Sequence, residues 1–265
     1  MTNNLSMVKV NLLAVNVGNT RTRMGAFVEG KLVECATLEN ARQSDLGKAM
    51  DHAFTPLRER KDAVVLMASV NPEIAERIEA QLGAHLNRPV HRVESDFKIP
   101  IGRQLDPEAL VGDDRLLNAA AAYDVLQQAC VVVDAGTAVT VDFVDGAGTF
   151  HGGAISPGAQ LMLDSLTQRI EHLPEVEFDR PSELIGHNTV DAMRCGVYFG
   201  LRGIVHELVE RYAEMAGAFP VVVATGGDSN LLFRDDQLID RIVPDLTLRG
   251  IALTLRTALE HNQQQ

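Results

Sequence analysis

The stretch from Cys130 to Asp142, CVVVDAGTAVTVD, constrains this chain more than any other. Val131 to Val133 read as a buried strand and Val139 to Val141 as its hairpin partner, because β-branched runs this close in sequence pack best as adjacent strands. The turn between them carries Asp134, Gly136 and Thr137. A carboxylate there can hold a cation. Gly136 lets the backbone and its N–H groups approach a phosphate, and the Thr137 hydroxyl can donate to a phosphate oxygen. Ordinary β-turns also use Asp and Gly, so the motif decides nothing by itself.

The amino-terminal end repeats the plan. Leu12 to Val15 form an apolar run, Asn16-Val17-Gly18-Asn19-Thr20 a small polar turn, and Arg21 to Phe27 a second strand. Overlaid on the central hairpin, Asn16 falls on Asp134, Gly18 on Gly136 and Asn19 on Thr137. Each copy runs on to a second turn, Glu29-Gly30 in one and Asp145-Gly146 in the other. The expectation is a duplicated half-domain with two phosphate-binding turns facing a shared cleft; two hairpins alike by chance are the alternative.

Between the copies, Asn40 to Ala53 is helix-like and Ala63 to Met67 is a buried strand. Asn71 then caps a helix with Pro72 at its first position, running from Glu73 to Leu82 and closed by Gly83. Val90 to Val93 is a further strand and Pro100 to Val111 a loop, which makes the architecture α/β. Gly112-Asp113-Asp114-Arg115 enters a helix from Leu116 to Gln128. Paired aspartates at a helix start are explained by capping and the helix dipole, worth up to about 1 kcal/mol. The same geometry presents a general base and an anion-holding guanidinium to a substrate.

Beyond the central hairpin, the small residues around Ile155, from Gly152 to Gly158, imply a backbone packed close to a ligand or another strand. Ala159 to Ile170 is a helix. His151 and His172 read as surface or loop histidines, and Leu173 to Leu184 as an irregular segment. Asn188 and Thr189 start a long helix, Val190 to Met215, and Thr189 can also offer its hydroxyl to a ligand. Gly196, Gly200 and Gly203 would each cost a free helix about 1 kcal/mol relative to Ala, which close helix packing or a subunit interface explains. Pro220 to Ala224 is a core strand that runs into Thr225-Gly226-Gly227-Asp228, where bare backbone suits a flat ring such as adenine. Leu248 to Leu259 is the closing helix, and His261 to Gln265 a frayed polar tail.

A formal net charge of −12 excludes a general nucleic-acid binder, which needs a basic face. The three cysteines, Cys35, Cys130 and Cys195, have no zinc-site spacing and suit a reducing compartment. Met1 to Asn11 holds no long apolar core, and no window is long enough to span a membrane, so the expected location is cytoplasmic.

Three glycine turns after apolar strands, with an acid–arginine helix start between the first two, resemble the order of the sugar kinase, Hsp70 and actin group. Asn16-Val17-Gly18-Asn19-Thr20-Arg21, Gly112-Asp113-Asp114-Arg115 with Asn118, Asp134-Ala135-Gly136-Thr137, Gly152 to Gly158 and Gly186-His187-Asn188-Thr189 are similar to the motifs of type III pantothenate kinases, over about Leu12 to Leu259. The resemblance implies duplicated actin-like (ribonuclease H-like) α/β subdomains, 1–125 and 126–265, with a nucleotide cleft between them. It implies transfer of the γ-phosphoryl of ATP to pantothenate, the first step of coenzyme A synthesis, by a homodimer. Asp114 is then the catalytic base, and Gly112, Asp113, Asp114, Arg115 and Thr189 contact pantothenate. Asn16, Val17, Gly18, Asn19, Thr20, Arg21, Thr22, Arg23, Thr137, Gly226 and Gly227 bind ATP with Mg²⁺, and Asp134 holds a monovalent cation, K⁺ or NH₄⁺. Two departures stand out: Asn16 replaces the family's Asp, and no Tyr precedes Pro107. A non-catalytic nucleotide-binding relative and a kinase of another small hydroxyl compound are the alternatives.

Overall fold

A computed structural model describes residues 9–263, so the first part of the amino-terminal segment, Met1 to Val8, and the last two residues of the expected tail lie outside the described residues. Two compact units emerge. The first comprises residues 1–100, 110–121 and 247–265, and the second residues 101–109 and 122–246. Each is assembled from separated stretches of chain.

The first unit is built on a five-stranded sheet. Strands β1 (Leu12–Val17), β2 (Arg21–Val28), β3 (Lys31–Glu39), β4 (Val64–Ser69) and β5 (Val90–Arg92) lie in the order β3-β2-β1-β4-β5. The β1–β2 and β2–β3 pairs are antiparallel, and the β1–β4 and β4–β5 pairs are parallel. Two short helical segments pack with the sheet: α1 (Leu46–Phe54) and α2 (Pro72–Leu86). Leu13, Val15 and Val17 of β1 bury against Met50, Ile78 and Leu82 of these helices, the period-2 and period-4 patterns meeting in one core. Asn71 caps α2 as expected, its Oδ1 accepting the Ile74 N–H at 3.2 Å. The helix does not close at Gly83. It continues to Leu86 and ends at Asn87 in the left-handed conformation, φ +49°. Gly83 has only the Arg88 carbonyl near its missing side chain, so one unfavourable residue is carried within a buried-faced helix. β3 was not foreseen, because its exposed and half-buried residues alternate without an apolar run.

The second unit has six strands: β6 (Gly102–Arg103), β7 (Cys130–Ala135), β8 (Ala138–Val144), β9 (Thr149–Pro157), β10 (Val221–Thr225) and β11 (Arg241–Ile242). Their order is β11-β10-β7-β8-β9-β6. Without β6, this is the first sheet again. β7–β8 and β8–β9 are antiparallel, and β7–β10 and β10–β11 parallel. The duplicated half-domain is therefore borne out, to the level of register: Asn16 pairs with Arg23 as Asp134 pairs with Thr140. One face of this sheet packs on α4 (Ala159–Arg169) and the long α5 (Thr189–Ala216), and α6 (Ser229–Phe233) joins the same core. The loop read at Pro100 to Val111 contributes β6, whose pairing with β9 gives the sheet its sixth strand.

Two helices complete the first unit. They are α3 (Asp113–Leu126), whose residues 122–126 extend into the second unit, and α7 (Leu246–Gln263). The expected frayed tail is helical as far as Gln263. Gly250 of α7 lies so close to α3 that a Cβ would meet the Leu117 carbonyl oxygen at 2.3 Å. Beside it, the Thr247 hydroxyl donates to buried Asn118 Oδ1 at 2.8 Å.

No helix among the described residues is long and apolar enough to cross a membrane. Cys130 is buried, and burial pushes its thiol up to about 12, which keeps it protonated. His172 is exposed as expected. His151 is not a loop residue: it sits half-buried on β9, its Nε2 2.7 Å from Asp145 Oδ2. That hydrogen bond, followed by backbone bonds from Thr149 and Ala147, holds the Asp145 carboxyl below the usual carboxylate range.

Candidate active site

In the first unit, Asn16 and Val17 end β1, Gly18-Asn19-Thr20 form the turn, and Arg21 to Arg23 open β2. Asn16 belongs to the strand and not to the turn. The Gly18 N–H donates to the Arg21 carbonyl at 3.0 Å, closing the turn tightly. Asn40, just past β3, then clamps it. Its Nδ2 donates to the Gly18 carbonyl at 2.8 Å and the Asn19 carbonyl at 3.1 Å, and its Oδ1 accepts from the Thr22 hydroxyl at 2.7 Å. Thr22 is fully buried, so its contribution is to the turn's scaffold through Asn40. In the sequence Asn40 reads only as the start of a helix-like stretch, because β3 before it carries no apolar run. Nothing in one sequence linked it to a turn twenty residues earlier.

Gly112 to Arg115 approach the same sheet end. Val70 follows β4, and its N–H donates to the Val17 carbonyl at 3.2 Å. A Cβ on Gly112 would lie 3.2 Å from Val70 Cγ1 and 2.6 Å from Asp114 Oδ1. The missing side chain at Gly112 thus makes room for the Asp114 carboxylate where it stands. That carboxylate also accepts the Arg115 N–H at 2.8 Å. Asp113, Asp114 and Arg115 are all half-buried on the first turn of α3, whose dipole favours negative charge there. The preceding loop, where the expected Tyr is missing, leaves Leu110 fully exposed.

In the second unit, Asp134 sits one residue before the end of β7, on the face opposite the α4–α5 core. Gly226 approaches it from β10 with φ +94°; a Cβ there would lie 2.2 Å from the Ala135 carbonyl oxygen and 2.5 Å from Asp134 Oδ1. The Asp228 N–H donates to the Ala135 carbonyl at 2.9 Å, tying the third glycine turn, with Gly227 exposed in it, to the second. Gly158 secures the turn from the other side, its N–H donating to the Thr137 carbonyl at 3.0 Å. The small residues from Gly152 to Gly158 do lie against another strand: a Cβ on Gly153 would meet the Val141 carbonyl oxygen at 2.0 Å. Thr137 is exposed beside Gly136. Next to Asp134 across the sheet, Thr140 Oγ1 is buried and has no hydrogen-bond partner.

Thr189 is exposed on the first turn of α5, where Asn188 accepts the Asp191 N–H at 2.9 Å. It lines a largely apolar groove of about 570 Å³ with Met162, Leu166, Ala192, Gly196 and Gly200. Nothing within 4 Å would meet a Cβ at Gly196, Gly200 or Gly203, so packing within the chain does not explain these glycines. Among the described residues no group of three His, Cys, Asp or Glu side chains is placed to hold a metal.

These turns can grip phosphates, and the Asp114–Arg115 start can take up a hydroxyl proton and hold an anion. A family model described as type III pantothenate kinase matches residues 12–211. The chain belongs to the type III pantothenate kinase family. A relative of that name from Dehalococcoides mccartyi is 35% identical over 249 residues, covering 91% of this chain and 96% of its own. Another from Geobacter sulfurreducens is 34% identical, covering 96% and 100%. Among solved structures, MreB5 of Spiroplasma citri bound to AMPPNP matches with a TM-score of 0.53 at 11% identity, over 96% of this chain and 98% of that one. This last likeness speaks to fold alone, and it is the actin-like fold that the duplicated sheets embody.

The Asn40 clamp yields a direct expectation for members with this arrangement. Asn40→Ala leaves the Gly18 and Asn19 carbonyls and the buried Thr22 hydroxyl short of partners. A loss of about 1–3 kcal/mol in urea unfolding is expected, together with a raised KM for ATP. An unchanged KM for ATP would separate the clamp from nucleotide binding.

Proposed function

We propose that this protein phosphorylates pantothenate with ATP to give 4'-phosphopantothenate, the entry step of coenzyme A synthesis. The observation that carries the reading is the Gly112-Asp113-Asp114-Arg115 helix start, held at the end of the β1–β4 sheet by Val70 and by the room at Gly112. In this reading Asp114 takes the proton from the primary hydroxyl as it attacks the γ-phosphorus, and Arg115, Asp113 and Gly112 orient pantothenate, with Thr189 as a further contact. Asn16 to Arg21, Arg23, Thr137, Gly226 and Gly227 hold ATP, with Mg²⁺ on its phosphates, while buried Thr22 braces the turn through Asn40. Phosphoryl transfer needs alignment and charge neutralisation more than covalent help, which suits backbone turns and a single base.

Asp134 is the proposed ligand of a monovalent cation, K⁺ or NH₄⁺. One carboxylate with neutral oxygens beside it suits such an ion better than Mg²⁺, which is more demanding in geometry and dehydrates reluctantly. A cation there supplies positive charge near the phosphates. The exposed glycine face of α5 supports a homodimer, since close approach of a second chain would account for Gly196, Gly200 and Gly203. Relatives that carry the enzyme's name do not favour the non-catalytic alternative. A coupled assay of ADP release, with and without pantothenate, in K⁺ and then Na⁺, tests the reading. Pantothenate-dependent turnover that is faster in K⁺ is expected; ADP release indifferent to pantothenate in both salts would overturn it.

A further inference from the structure

The buried hydroxyl of Thr140 has no hydrogen-bond partner among the described residues. An unmet hydrogen-bonding group in the interior costs about 1–3 kcal/mol, so such groups persist where something outside the chain satisfies them. Three features narrow down what does. Thr140 pairs in register with Asp134, so their side chains are neighbours on the face of β7–β8 turned away from Val131, Val133, Val139 and Val141. The Thr140 hydroxyl makes no hydrogen bond to that carboxylate, so the two oxygens are adjacent without bonding to each other. Gly226, at φ +94°, brings bare backbone to within what would be 2.5 Å of Asp134 Oδ1 for a Cβ, in a conformation that side-chain-bearing residues rarely adopt. Neutral oxygen, carboxylate and close backbone together make an oxygen-lined niche.

The other copy of the half-domain sharpens the contrast. Asn16 stands where Asp134 does, and Arg23 where Thr140 does. The first copy therefore pairs a neutral amide with a guanidinium, a charge supplied by the protein. The second pairs a carboxylate with a hydroxyl, two oxygen donors side by side. We infer that Thr140 Oγ1 is a ligand, together with Asp134, of the monovalent cation, and that this pair makes cation dependence a property of the second half-domain alone. The inference rests on the assignment of Asp134 as cation ligand; it adds Thr140 and locates the dependence in one half of the chain.

The test is thermal unfolding of the full chain without nucleotide or pantothenate, titrated with KCl against choline chloride at constant ionic strength. A ligand bound only by the folded state raises the melting temperature. The wild-type protein should melt higher in K⁺. Thr140→Val keeps the shape and removes the hydroxyl. It should need at least about tenfold more K⁺ for the same shift, the scale of about 1.4 kcal/mol. In choline it should melt at or above the wild-type temperature, because the unmet hydroxyl is gone. Thr140→Ser should restore the K⁺ shift. A full K⁺ shift in Thr140→Val, no K⁺ shift in the wild type, or a lower melting temperature of Thr140→Val in choline would each overturn the inference. The last would mean that the hydroxyl serves the fold. These outcomes are separate from the kinase reading, which stands or falls on pantothenate-dependent ADP release measured in the same preparations.

Discussion

Asp114→Asn should lower pantothenate-dependent turnover at least about 100-fold, the scale of losing a general base, without unfolding the protein. Asn keeps the shape of Asp114 and an oxygen to accept the Arg115 N–H, so the first turn of α3 retains its local bond. The helix is held elsewhere, by Leu117 against Gly250 and by the Thr247–Asn118 hydrogen bond. Losing the charge at the helix start costs only about 0.3–1 kcal/mol of stability. What Asn cannot do is take a proton. The expected signature is a fall in kcat with a nearly unchanged melting temperature and a KM for ATP close to that of the wild type. Wild-type-like turnover would remove Asp114 from the base role.

Gly226→Ala should have a large structural effect in the candidate site. The residue sits at φ +94°, and the added Cβ would meet the Ala135 carbonyl oxygen at 2.2 Å and Asp134 Oδ1 at 2.5 Å. Backbone cannot give way as a flexible side chain can. Left-handed strain of about 1–3 kcal/mol adds to overpacking of similar size, so urea unfolding should show a loss of about 3 kcal/mol or more. Because the displaced atoms belong to the Asp134-Ala135 strand end, ATP affinity and K⁺ dependence should fall together. A variant with wild-type stability would mean that β7 and β10 can separate at this point without penalty.

The repeated strand–turn–strand plan was legible because β-branched runs and glycine turns are local signals. Both sheets follow it, down to the pairing of Asn16 with Arg23 and Asp134 with Thr140. The α2 amino terminus was legible for the same reason, since an Asn-Pro pair acts within one turn. Its far end was not. A glycine is a poor helix former, but three buried faces of α2 residues, Ala75, Ile78 and Leu82, outweigh one unfavourable residue and carry the helix past Gly83. β3 and β6 escaped because an edge strand that is half exposed, as β3 is, or exposed throughout, as β6 is, has little apolar signal. In the candidate site, most of the residues proposed to meet a ligand were legible as local motifs, whereas the long-range contacts that hold them were not. Asn40, Gly158 and Thr140 act through contacts with residues seventeen or more positions away or across a sheet register, and only the folded chain brings these together.

Asn16 gives this account its asymmetry. A neutral amide stands in the first half-domain where a carboxylate stands in the second; in the proposed reading phosphate neutralisation then divides unevenly between the two, and Asp114 is the single proposed base. The most direct test of the central proposal is ³¹P NMR of the protein incubated with ATP, Mg²⁺, K⁺ and pantothenate. A phosphomonoester resonance growing in step with ADP, absent without pantothenate and absent with Asp114→Asn over the same interval, is the predicted result. ATP hydrolysed to inorganic phosphate with no phosphomonoester formed, or no ATP consumed at all, would contradict it.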